Sequence, residues 1–174
     1  MPVYEYKDLL INLSDQDTEY TGYFEAAKRH ELVVKRCLDC ELLRGEPGAA
    51  CPWCTSMRWE WQAVSGKGTI YSYQIIPHAI LPGFRDWAPY PVVLVELDEQ
   101  SGAPKEHDGL RITANLLDEN MAPENEENVA IGKRVKVVFL DVENGRLSTQ
   151  RRLQRPREPV GRLLLYSRNT HQPV

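Results

Sequence analysis

Long hydrophobic runs are missing from this 174-residue sequence. Unbroken apolar stretches such as Val92–Val95 and Val137–Leu140 fall far short of the roughly 20 residues a membrane-crossing helix needs. The opening Met-Pro-Val-Tyr-Glu-Tyr-Lys-Asp has no apolar h-region, so no secretory signal is read there. A basic excess is missing too. The 21 Lys and Arg face 25 Asp and Glu, for a net charge of −4, which argues against a protein whose main work is to coat nucleic acid. Neither G-x-x-x-x-G-K-S/T nor G-x-G-x-x-G occurs, and Gly66-Lys-Gly68 is too short to cradle a phosphate in their place. There is no G-x-S-x-G nucleophile elbow. With 42% hydrophobic and 26% charged residues, the chain can bury a real core as one domain or two small modules. The expectation is a soluble, cytoplasmic protein with no membrane contact.

Cysteine is scarce, but its placement is informative. The only four are Cys37-x2-Cys40 and, after ten residues, Cys51-x2-Cys54. In a cytosolic chain, two such pairs predict a tetrahedral metal site rather than disulfides. Four thiolates close the coordination sphere of Zn²⁺, so the ion is expected to be structural. Rubredoxin-type iron uses the same ligands, and the spacing leaves that alternative open. Cys51-Pro-Trp-Cys54 alone looks like a glutaredoxin-type redox pair, but no βαβ pattern surrounds it and Cys37 and Cys40 would have no role. With all four cysteines assigned to metal, no thiol is left for nucleophilic catalysis, and no catalytic residue is assigned. His30 reads as a helix-end residue, and His78 is the one histidine worth testing for catalysis.

The chain predicts a mainly β protein with four parts: an N-terminal helical segment (1–31), a zinc ribbon (32–63), a barrel (64–156) and a basic C-terminal tail (157–174). Tyr20, Tyr23, Phe24 and Ala27 fall at helical spacing, predicting a helix over Glu19–His30 with Lys28, Arg29 and His30 in its last turn. Leu32–Arg36 and Arg58–Ala63 read as strands flanking the cysteines, with Trp59 and Trp61 pointing the same way. Beyond Gly66-Lys-Gly68, five strands are expected at Thr69–Ile76, Pro91–Asp98, Leu110–Leu117, Arg134–Val142 and Leu147–Leu153. With no convincing helix between them, they suit a small Greek-key barrel of the OB type, with a sandwich as the rival. Charge is segregated: residues 96–128 carry ten acidic groups against Lys105 and Arg111, whereas 146–168 carry seven arginines against Glu158. The apolar run Leu163–Tyr166 is a candidate docking segment if it is exposed.

The order of these features carries a family resemblance. An aromatic helix precedes Cys-x2-Cys and Cys-Pro-x-Cys; then come Trp59-Glu-Trp61, Ser65-Gly-Lys-Gly-Thr-Ile-Tyr-Ser72, Tyr90-Pro-Val-Val-Leu-Val-Glu-Leu-Asp98 and Ile131-Gly-Lys-Arg-Val-Lys-Val137. From about Tyr20 to Pro156 the chain resembles the zinc-ribbon/OB-fold family of acyl-CoA-associated proteins, long catalogued as a domain of unknown function. The resemblance implies N-terminal helices, a rubredoxin-like zinc ribbon and a C-terminal OB-fold barrel, with the ribbon ligands falling on Cys37, Cys40, Cys51 and Cys54. It also implies an accessory, non-catalytic or co-catalytic subunit of a hetero-oligomer. Its partner would be a thiolase-like enzyme or aldolase, or a hot-dog-fold hydratase, acting on acyl-CoA. On that reading Phe84, Arg85, Trp87, Arg151 and Arg152 are the candidates to meet the adenine and phosphates of CoA by stacking and charge-assisted bonds. Single-stranded nucleic-acid binding and a rubredoxin-like redox carrier are the alternatives.

Overall fold

Leu32, Val33, Val34, Lys35 and Cys37 are buried almost without interruption, the mark of a strand covered on both faces. In the computed structural model, which describes residues 3–6, 9–12, 18–45, 48–144 and 161–168, this segment is the centre of a three-stranded sheet. Numbering strands along the chain, β1 is Val3–Tyr6, β2 Leu9–Asn12, β3 Leu32–Cys37, β4 Leu43–Arg44 and β5 Trp59–Val64. The sheet runs β4-β3-β5, all antiparallel. Two residues, Ser65 and Gly66, lead from β5 into β6 (Lys67–Ile76). Gly66 sits at φ +69 with Val137 packed where a Cβ would be, and its carbonyl accepts from Val137 N at 2.8 Å. Only glycine meets both demands without strain.

The barrel consists of β6 with β7 (Tyr90–Leu97), β8 (Arg111–Leu117), β9 (Arg134–Asn144) and β10 (Gly161–Arg168). Pairing runs β8-β7-β6-β9-β10 and returns from β10 to β8, so the sheet closes on itself. The β8–β10 pair is parallel and the other barrel pairs are antiparallel. This closure is the five-stranded OB arrangement and not a sandwich. Alternation along β7 buries Pro91, Val93, Val95 and Leu97, and these join Ile70, Leu116 and Val135 in the core. Leu32, Val34 and Leu43 of the small sheet belong to the same apolar cluster.

Several expectations need correction. The helix α1 spans Thr18–Ala27, not Glu19–His30. It stops because His30 takes φ +59, while His30 N donates to Ala27 O and Glu31 N to Ala26 O, a Schellman ending with histidine in the usual glycine position. Lys28 to His30 therefore lie beyond the last helical turn. The strand carries a bulge between Ile70 and Ser72, and beyond it Tyr71, Ser72, Tyr73 and Gln74 are all exposed. Segment 161–168, expected within a basic tail, supplies the fifth barrel strand, so Leu163–Tyr166 is paired with β9 along its length. The strand expected at Leu147–Leu153 lies outside the described residues. The polar N-terminus contains an unexpected hairpin, β1–β2, whose first strand extends the sheet from β9.

Candidate functional site

The two Cys-x2-Cys turns are built alike. Cys37 closes β3, and Glu41 N donates back to Cys37 O at 3.0 Å while Cys37 N donates to Leu42 O at 2.9 Å. In the second turn Thr55 N donates to Cys51 O at 2.9 Å and Cys51 N to Ser56 O at 2.7 Å. Both turns end in a left-handed residue, Glu41 at φ +64 and Thr55 at φ +63. Each turn thus aims two sulfurs at one point. All four Sγ atoms lie within 4.8 Å of one another, and the pairs Cys37–Cys54 and Cys40–Cys51 are each 3.6 Å apart.

Those dimensions test the fit of a metal. A tetrahedron with metal–sulfur bonds of about 2.3 Å has edges of about 3.8 Å, close to the distances present. The sulfurs carry no disulfide, and Cys37 and Cys51 are fully buried. The Cys37 thiol is lowered to about 6, first by the backbone amides of Cys40 and Asp39, which favour a thiolate. Cys40 moves the other way, to about 12: the Leu42 amide favours its thiolate, but burial and hydrogen bonds to the Cys54, Cys37 and Cys51 sulfurs outweigh it. Asp39 ties the turns together, accepting from Arg58 and from the Ser56 hydroxyl. Four sulfurs complete a tetrahedral ion, so the donor set is that of a structural metal site with no position left for a substrate.

The other expected site residues are placed differently. Phe84 and Trp87 lie in a 3-10 helix, Pro82–Trp87, and pack edge to face at 5.3 Å. Tyr90 completes the group at 6.0 Å from Phe84 and 6.3 Å from Trp87. Arg85, in the same turn, is exposed. Arg151 and Arg152 lie outside the described residues. His78 is exposed. Sequence reasoning missed Lys35 and Arg44, neighbours across β3 and β4, which are 2% and 8% exposed. The available signal was two charges beside Val33-Val34 and Leu43 in strands too apolar to be surface strands.

A four-sulfur ribbon joined to an OB barrel through two residues defines the class of protein. The family model of the ChsH2 C-terminal OB-fold domain matches residues 61–140. A DUF35 domain-containing scaffold protein of Methanothermobacter thermautotrophicus is 32% identical over 116 residues, covering 66% of this chain and 76% of that protein. The chain belongs to the DUF35 family. A probable enoyl-CoA hydratase alpha subunit of Thermomonospora curvata is 38% identical over 121 residues, 70% of this chain. The matched region makes up only 33% of that relative's length. Among solved structures, a chain titled Ltp2-ChsH2(DUF35) aldolase is similar with a TM-score of 0.63 and 29% identity, covering 90% of this chain and 98% of that one.

Proposed function

We propose that this protein is an accessory subunit of an enzyme complex that acts on acyl-CoA thioesters, with a thiolase-like, aldolase or hydratase partner supplying most or all of the catalytic groups. The observation that supports it most is the likeness across 98% of a solved chain named Ltp2-ChsH2(DUF35) aldolase. The name of the Thermomonospora curvata relative, an enoyl-CoA hydratase alpha subunit, agrees in chemistry. The geometry fits a supporting role: a saturated four-sulfur centre holds structure and offers no coordination position for a reaction. The ion is Zn²⁺, which suits four thiolates and has no redox chemistry of its own. Phe84, Arg85 and Trp87, with Arg151 and Arg152, are the candidate contacts to CoA. The complex is a cytoplasmic hetero-oligomer.

Affinity purification of the full chain from its native cell, with mass spectrometry of what stays bound, tests this. A thiolase-like or hydratase-like protein in equal amount is the expected result. Recovery of the chain alone, folded and monodisperse, would refute the accessory reading.

A further inference from the structure

The strand β6 has neighbours on both sides only at its start. Lys67, Gly68 and Thr69 pair with β9. Ile70 bonds the turn before β9, its N donating to Lys133 O at 2.9 Å and its O accepting from Gly132 N at 2.8 Å. From Tyr71 to Ile76 the strand pairs, among the described residues, with β7 alone. Which of its backbone groups face the open edge follows from β7. Leu97 N donates to Leu110 O, on the β8 side, at 2.9 Å, so by alternation Val95, Val93 and Pro91 turn that way too. Tyr73 and Ile75, opposite Val93 and Pro91, therefore exchange no bonds with β7 and point their N–H and C=O groups outward. Pro91 agrees with this phase, since it has no N–H to offer Ile75.

Native sheets blunt such an edge with charge or proline. Tyr71 to Ile76 contains neither, and in a chain of net charge −4 it is a stretch where two copies approach without repulsion. The edge also complements itself. An antiparallel two-fold centred on Gln74 lets Tyr73 of each copy exchange both main-chain bonds with Ile75 of the other, which uses every outward group in four hydrogen bonds. Gln74 then faces its own counterpart, amide against amide. The ends match as well. Ile131, 67% exposed, precedes Gly132 at the Tyr71 end, and Ile80 and Leu81, 94% and 51% exposed, follow the Ile76 end. The two-fold sets one end beside the other and covers both apolar groups. We propose that two copies of this chain associate through the β6 edge at Tyr73–Ile75 and join their barrels into one continuous sheet. Four main-chain bonds belong to a small interface, so the dimer forms as concentration rises. The proposal stands apart from the accessory-subunit reading and needs no partner enzyme.

The test is sedimentation equilibrium of the metal-loaded full chain, purified free of other proteins, over a range of concentrations. The mass rises from one chain to two, and hydrogen exchange at the Tyr73 and Ile75 amides of the unaltered protein slows as it does. Gln74→Lys and Gln74→Glu each weaken the dimer at least about tenfold, because like charges then face each other across the two-fold. Mixed in equal amounts, the two variants pair with each other, since opposite charges now meet. Gln74 is exposed, so both variants keep the parent's thermal midpoint at dilutions where the parent is monomeric, which separates lost association from lost fold. A single-chain mass at every concentration would overturn the proposal. So would a dimer indifferent to Gln74→Lys, or variants that stay apart when mixed. Protection of the Tyr73 and Ile75 amides only when a different protein is bound would give the edge to that protein and overturn the proposal as well.

Discussion

Replacing Gly66 by alanine probes the joint between the two sheets. Gly66 sits at φ +69, and a residue with a Cβ pays about 1–2 kcal/mol for the left-handed conformation. Restricting the unfolded chain returns about 0.4–1 kcal/mol. The new methyl also meets Val137 Cγ1 and Cβ, and Leu32 Cδ2 lies 3.7 Å away. Overpacking of this kind costs about 1–3 kcal/mol. The net expectation for Gly66→Ala is a loss of about 1–5 kcal/mol, read by urea unfolding followed through tryptophan fluorescence. Val137→Ala removes Cγ1, the nearer of the two obstructing carbons, and costs about 2 kcal/mol by itself as a buried valine is trimmed. The double variant should be at least about 1 kcal/mol more stable than the two single losses added together, because the clash with Val137 Cγ1 that Gly66→Ala carries is gone when Cγ1 is removed. A Gly66→Ala protein within about 0.5 kcal/mol of the parent, or strict additivity in the pair, would refute the reasoning.

Removing the metal, by chelator or by Cys51→Ser, should unfold the ribbon, since small zinc domains draw about 10–16 kcal/mol of apparent folding free energy from their ion. Elemental analysis should give one zinc per parent chain, and near-UV circular dichroism should show the tryptophans of the ribbon losing their fixed environment. A colourless, metal-free chain with an unchanged spectrum contradicts the assignment. Acid should destabilise the protein through paired carboxylates. Asp98 is lowered first by its hydrogen bonds from Arg134, at 2.6 and 2.5 Å, and Glu96 is lowered because Ser101 and Arg111 outweigh its burial. Folded groups with depressed values hold fewer protons than the unfolded chain, so their contribution is present above pH about 4 and is lost as the pH falls through the folded values. The urea midpoint should therefore fall below pH about 4, and Asp98→Asn should make that fall shallower. A midpoint that rises on acidification reverses the sign and defeats the argument.

What the sequence revealed and what it hid follow from physical range. The cysteines were legible because ligand chemistry is written in short spacing, and the strand at Pro91–Asp98 because a dense Val/Leu run between turn signals suits little else; which of its residues face the core was not, since nearly all of them are apolar. Closure of the barrel was not legible. Its fifth strand comes after a stretch dense in arginine and proline, and its parallel pairing with β8 is non-local, so local composition spoke only for a tail. The end of α1 was misplaced because histidine occupies a position where glycine is the usual sign. Lys35 and Arg44 were passed over because a charge in a strand is read as facing water. Here Trp59, Trp61 and α1 cover them, a tertiary fact that pattern alone does not contain.

The apolar cluster runs from the ribbon into the barrel without a seam, since Leu32, Val34 and Leu43 share it with Val93, Val95 and Val135. Losing order in the ribbon therefore exposes one wall of the barrel's interior. Unfolding is then expected as a single cooperative event, and free-metal concentration, acting by mass action on the folded state, sets how much barrel is present at all. A cell short of the ion would lose this protein as a whole.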